Sequence, residues 1–211
     1  MTGPGTPAKK FPQPANAPGW KQKPPPGGVF AVVVLAAGIA AALAPSEGGQ
    51  RLDVYRDSAG ILTACTGIIG PAVNAKGLGN KFTKAECDAM DQAYIAKMVP
   101  LLQRCVPIGV RRDMTYGEWV SYGHWAYNTG TASFCYSTLA KRLAAGDHAG
   151  ACRQMAVWTW TPVRRGTTPA GRTNGKPQPA LRQDCRDVRN KCNGIPARRD
   201  LEVSMCLSAL N

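Results

Sequence analysis

Residues 47–67 read EGGQRLDVYRDSAGILTACTG, and this stretch decides the fold. Two β-prone runs, LDVY and ILTACT, are separated by Asp57-Ser58-Ala59-Gly60 and closed by Gly67, which predicts a small antiparallel hairpin sheet. Glu47 stands just before the sheet, at the end of an apolar stretch where partial burial keeps the proton on a carboxyl. Asp57 heads the turn, where backbone N–H groups and water can solvate a carboxylate, and Thr63 on the next strand offers a hydroxyl able to orient a water. Such a set suits hydrolysis of a glycosidic bond, in which one carboxylic acid protonates the leaving oxygen while a second carboxylate activates water or attacks the sugar. Taken singly, an Asp at a turn is usually a turn residue and a Glu usually a solvated charge, so the chemistry rests on the wider pattern.

Downstream of the sheet the periodicity turns helical. Thr83-Lys84-Ala85-Glu86 is a capping box, with a threonine at the N-cap and a glutamate three residues on, and it opens a helix to about residue 105. Thr115-Tyr116-Gly117-Glu118 repeats the device before a helix that ends near Asn128-Thr129-Gly130. Further helices are predicted over 137–145, 148–158 and 197–210. Residues 161–193 are rich in Arg, Thr, Gly and Pro and read as a long surface insertion. Trp119, Trp125 and Trp158 read as core, and Trp160 as the aromatic free to stack on a ligand. His124 and His148 have no partner at useful spacing in sequence and receive no role.

Upstream, residues 1–28 carry dense Pro and Gly, four lysines and no acid, a composition that predicts disorder. Residues 29–44, VFAVVVLAAGIAAALA, have no polar side chain. Sixteen residues make a helix of about 24 Å, a marginal span of a hydrocarbon core of about 30 Å. With lysines on its N-terminal side the segment is oriented with the N-terminus in the cytoplasm and the rest outside. A cleaved signal peptide with Ala42-Leu43-Ala44 at its end, or a buried core helix, are the other readings.

A net charge of +13 points to an anionic partner: nucleic acid, anionic lipid or the acidic bacterial envelope. Cys65, Cys87, Cys105, Cys135, Cys152, Cys185, Cys192 and Cys206 form an even set without C-x-x-C pairs, which reads as disulfides formed outside the cytosol and not as a metal site.

Together, Glu47-Gly48, Arg51-Leu52, 54–58, Gly60, Leu62-Thr63 and Gly67 resemble the phage-type lysozyme family, glycoside hydrolase family 24. The likeness continues through 83–87, 127–130, 134–139, Gly146-Asp147, Trp158, Gly194-Ile195 and Arg198-Arg199. The resemblance implies an α+β fold: a mainly helical lysozyme-like domain with a small antiparallel hairpin sheet, here preceded by a transmembrane helix. It implies Glu47, Asp57 and Thr63 as the catalytic triad, Asn128 as a substrate-binding residue, and the pairs Cys65–Cys87, Cys105–Cys135, Cys152–Cys206 and Cys185–Cys192. For Asn128 a helix C-cap is the other reading. Two positions depart from the family: one extra residue between Glu47 and Asp57, assigned to Gly48-Gly49-Gln50, and Ile68 where the family tends to have a histidine.

An apolar segment before such a domain is similar to the signal-anchor-release endolysins. The division that follows is a cytoplasmic tail over 1–28, a signal anchor over 29–45 and a catalytic domain over 46–211, with 161–193 as insertion. The function implied is a muramidase that cuts the β-1,4 bond between N-acetylmuramic acid and N-acetylglucosamine in peptidoglycan and lyses the host, with no cofactor. Its implied partners are the glycan strands, inner-membrane lipid through 29–44, the host secretion machinery and, functionally, a holin. The enzyme would be exported, tethered to the inner membrane with its domain in the periplasm, and then released there. Other readings are a lytic transglycosylase, which needs the glutamate alone, and an inactive membrane-anchored wall binder. Export argues against nucleic acid as the partner.

Overall fold

The computed structural model describes residues 14, 17–25, 29–46, 49–57, 60–162, 172–173, 176–177, 182–190, 192 and 194–210. Helix α1 (Val29–Ser46) leads into a three-stranded antiparallel sheet, β1 (Arg51–Arg56), β2 (Leu62–Cys65) and β3 (Ile68–Ile69). Among the described residues the chain then forms α2 (Pro71–Lys76), α3 (Lys84–Arg104), α4 (Ile108–Asp113), α5 (Tyr116–Thr129), α6 (Thr131–Tyr136), α7 (Thr138–Ala144) and α8 (His148–Gln154). Four short strands, β4 (Trp160–Pro162), β5 (Arg172–Thr173), β6 (Lys176–Pro177) and β7 (Arg182–Asp184), precede the last helix, α9 (Gly194–Ser208).

Both capping boxes form as their sequences predict. Thr83 accepts from the Glu86 N–H and Glu86 accepts from the Thr83 N–H, while Thr115 and Glu118 do the same for α5. Helix α5 runs through the middle of the molecule, with every residue from Tyr116 to Ala126 buried, and it packs on α9 and α1. Trp119 and Trp125 lie in this core, and Trp125 meets Trp158 edge to face at 4.9 Å, whereas Trp160 is exposed.

The segment read as an anchor is a core helix here. Among the described residues no helix is long and apolar enough to cross a membrane. Ala31, Leu35, Ala36, Ile39, Ala42 and Leu43 of α1 are buried against α3 and α5, at the spacing of one helix face. Complete burial of a Leu or Ile is worth about 1.5–3 kcal/mol, so this face contributes substantially to stability. Small residues make the fit. A side chain at Gly38 would run into Tyr116 and Val120 of α5, and one at Gly123 of α5 would run into Ile39 of α1. Each helix thus offers a glycine notch to a large side chain of the other, which brings the two backbones close.

The tail also differs from expectation. Residues 17–25, predicted to be disordered, lie on the body: the Trp20 indole N–H donates to the Met205 carbonyl at 2.9 Å, and Tyr116 and Gly117 donate their backbone N–H groups to Gln22 and Trp20. Ordering here has a local cause, because a single large aromatic finds a groove in which its ring is half-buried and its N–H is satisfied. Residues 1–13, 15–16 and 26–28 of the predicted tail lie outside the described residues.

Four disulfides, Cys65–Cys87, Cys105–Cys135, Cys152–Cys206 and Cys185–Cys192, take all eight cysteines and fit the expectation. The base of the predicted insertion is a two-stranded ribbon, in which Trp160 pairs with Asp184 and Pro162 with Arg182; residues 163–171 lie outside the described residues. Ile68, in place of the family's histidine, packs against a small second core of Val54, Ala64, Cys65, Val73, Phe82 and Cys87.

Candidate active site

The hairpin brings two of the three triad candidates to one point. Strands β1 and β2 pair antiparallel with Tyr55 opposite Thr63 and Arg56 opposite Leu62, so the turn between them starts at Asp57. An Asp at this place bonds the backbone of its own turn, and here the Asp57 carboxylate accepts from the Ile61 N–H at 2.9 Å. Thr63 is buried and donates its hydroxyl to the Ile61 carbonyl at 3.1 Å. The two side chains therefore engage the two ends of Ile61. A threonine hydroxyl that has given its proton to a carbonyl still has lone pairs to accept from a water, which is the water-orienting role assigned to it from sequence. Glu47 and Gly48 lie outside the described residues.

Where the chain resumes, Gly49 adopts φ +92°, a conformation that suits glycine, and Gln50 turns onto α3. The Gln50 side-chain amide donates to Asp88 at 2.8 Å and to Asp91 at 2.9 Å, and the Thr66 hydroxyl donates to the same Asp91 oxygen at 2.6 Å. One carboxylate thus ties the loop entering β1 and the turn leaving β2 to a single helix. Asp91 is only 6% exposed, and its other oxygen has no hydrogen-bond partner among the described residues. It borders a cavity of about 250 Å³ lined by Ala40, Leu43, Gln50, Thr66 and Asp88. Hydrogen bonds from Lys84 and then from Gln50 hold the Asp88 carboxyl below its ordinary value.

On the other side, the Tyr127 hydroxyl donates to the Thr66 carbonyl at 2.7 Å and ties the end of α5 to the turn after β2. Asn128 follows it. Its amide donates to the His124 carbonyl at 3.1 Å, and its oxygen accepts from the Arg198 guanidinium at 2.7 Å. The C-cap of α5 is Gly130, so Asn128 is held by its own helix and by α9. Arg198, named in the resemblance but given no role, is the cation at this junction.

Gln50, Asp91 and Arg198 are the residues that the sequence reading passed over. For Asp91 a signal existed: the buried stripe of α3 runs Cys87, Asp91, Ile95, Met98, Leu102, and an acid in an apolar stripe is an anomaly. The two histidines given no role have partners distant in sequence. His124 is fully buried with Nδ1 2.8 Å from Glu202, which Arg199 also meets at 3.0 Å, and His148 stands 2.5 Å from Glu118.

A small antiparallel sheet joined to a helical body built round one central helix is a lysozyme-like α+β architecture. The endolysin from Escherichia coli O157:H7 phage FAHEc1 has this fold, with a TM-score of 0.63 at 24% identity over 83% of this chain and 94% of that one. The active form of the P1 phage endolysin Lyz has it too, with a TM-score of 0.54 at 19% identity over 88% and 96%. The family model described as phage lysozyme matches residues 45–176, and the chain belongs to that family. A SAR-endolysin of Escherichia phage Mu is 36% identical over 106 residues, which cover 50% of this chain and 57% of that protein. Another, from Escherichia phage 933W, is 29% identical over 159 residues, 74% of this chain and 76% of that one.

Proposed function

We propose that the chain is an endolysin that hydrolyses the β-1,4 bond between N-acetylmuramic acid and N-acetylglucosamine in peptidoglycan. Glu47 acts as general acid on the leaving oxygen, and Asp57 and Thr63 position the attacking water, so that the anomeric centre inverts. The observation that carries this reading is the meeting of Asp57 and Thr63 on Ile61, inside the stretch that matches the phage lysozyme family. Asn128 binds sugar, with Arg198 fixing its amide oxygen. The net charge of +13 draws the enzyme to an anionic wall. Glu47→Gln, folded and disulfide-bonded, is expected to lose about 100-fold or more in clearing of outer-membrane-stripped cells and in release of reducing ends. Parent-like digestion by that variant removes the mechanism, and anhydro-muramyl ends in the products replace hydrolysis with transglycosylation.

Residues 29–44 serve first as a signal anchor, with the tail in the cytoplasm and the body in the periplasm, and afterwards as α1. The similarity to SAR-endolysins and the unbroken apolar run favour this. Host secretion machinery delivers the body, inner-membrane lipid holds the anchor, and a holin that collapses the membrane potential triggers release. Each tail lysine that crosses toward the positive side is opposed by about 2 kcal/mol per 100 mV, so loss of the potential lowers the barrier to exit. Glu47 lies three residues past the run, so an acid pinned at the headgroups cannot serve the cleft until α1 docks. Fractionation checks this. The protein is expected in the membrane before depolarisation and in the periplasm after it, with the N-terminal sequence starting ahead of residue 29 in both.

A further inference from the structure

Residues 17–25 do more than rest on the surface. The first N–H groups of any helix have no partner within it and must find acceptors elsewhere. In α5 the Thr115 side chain serves Glu118, while the N–H groups of Tyr116 and Gly117, both buried, are met by the carbonyls of Gln22 at 2.6 Å and Trp20 at 2.9 Å. A turn in which the Gln22 N–H bonds the Gly19 carbonyl at 2.8 Å sets those two carbonyls side by side. The Trp20 ring sits edge-on to Tyr116 at 6.1 Å, and its N–H reaches α9 at Met205. The groove for it is shaped: a side chain at Gly117 would come within 2.6 Å of the Trp20 ring nitrogen and of Ala209. Lys23 closes the segment with an ion pair to Asp113 at 3.0 Å. This binding surface on α5 and α9 takes one indole and two carbonyls from the same chain.

Its occupant lies on the far side of α1 in sequence. If 29–44 spans the inner membrane, as proposed above, residues 17–25 are in the cytoplasm and the groove is in the periplasm, with a hydrocarbon core of about 30 Å between them. We infer that residues 17–25 are a clasp that closes only after the anchor has left the bilayer, and that the seated Trp20 opposes its return. The clasp completes the cap of α5, the helix whose Gly123 receives Ile39 of α1, so it also fixes the helix on which α1 docks.

The inference rests on the signal-anchor reading, and the test separates the two. Full-length protein is mixed with vesicles of phosphatidylethanolamine and phosphatidylglycerol and floated on a density gradient, either folded or diluted from urea with its disulfides intact. Folded parent is expected to stay at the bottom, and folded Trp20→Ala to float at least about tenfold more. Trp20→Phe, which keeps a ring and loses the N–H bond, is expected in between. Digestion of isolated murein without vesicles should be the same for parent and variants, because Met205, Tyr116 and Gly117, which Trp20 meets, are not residues placed in the site. Equal flotation of folded parent and Trp20→Ala, with the urea-diluted parent floating, overturns the clasp and leaves the anchor. If the urea-diluted parent never floats, the anchor reading fails and the clasp falls with it.

Discussion

The chain before the sheet and the chain after it are held together by different means. All eight cysteines lie between residues 65 and 206, and four disulfides tie the sheet to α3, the end of α3 to α6, α8 to α9, and close a short loop just after β7. Residues 17–46 contain no cysteine, and among the described residues they are held by side-chain packing, by hydrogen bonds that include those from Trp20, Tyr116 and Gly117, and by an exposed ion pair. Covalent staples suit a body that folds once, outside the cytosol. Packing alone suits a segment that has to arrive later and dock against finished surfaces. On the proposed topology the division falls where the polypeptide changes sides.

Breaking a staple should have the largest effect. Cys152 and Cys206 are fully buried and close a loop of 54 residues, so replacing both with serine is expected to cost about 4 kcal/mol in urea unfolding on the chain-entropy account. A loss below about 1 kcal/mol would mean that this part of the body is fixed by its packing, like the N-terminal part. Next comes the docking helix. Ile39→Ala, which empties the notch at Gly123, is expected to cost about 2–4 kcal/mol, and murein digestion should fall in step with the folded fraction. An unfolding midpoint equal to the parent's would show that α1 is dispensable to the fold.

Acid should act least, and through the stapled part. Backbone and hydroxyl donors at Thr83 hold the Glu86 carboxyl low, Lys84 and Gln50 hold Asp88 low, and Arg142 and the Gly150 N–H hold Asp147 low. Each folded value lies below the unfolded one, so the stabilisation is present above a pH of about 4 and disappears as pH falls through the folded values. The melting temperature is expected to drop modestly between pH 5 and about 3, and Glu86→Gln should flatten part of that slope. A Glu86→Gln profile superimposable on the parent's would remove this cap as a source of acid sensitivity.

Local signals were legible in the sequence and long-range complementarity was not. Thr83 and Glu86, or Thr115 and Glu118, lie within one turn, so their caps can be read from four letters. Asp57 and Thr63 flank one turn and meet for the same reason. Hydropathy over 29–44 records only that the run is apolar, and lipid and protein interior satisfy that equally well. What distinguishes them is Gly38 against Tyr116 and Ile39 against Gly123, a match between segments far apart in sequence. Trp20 was hidden likewise, since its partners at Met205 and Gly117 belong to helices that the tail's Pro- and Gly-rich composition does not foretell. His124 with Glu202, 78 residues on, is a third case.

The central claim is that the apolar run is a structural helix of the working enzyme as well as its tether. Residues 46–211 alone, oxidised to the four disulfides, can be compared with the full chain for near-ultraviolet circular dichroism and for release of reducing ends from isolated murein. A truncated chain with a collapsed aromatic signal and digestion reduced about 100-fold or more is the predicted result, since the faces of α3 and α5 that α1 covers are then bare. Parent-like spectra and activity from 46–211 would contradict it and reduce α1 to a tether.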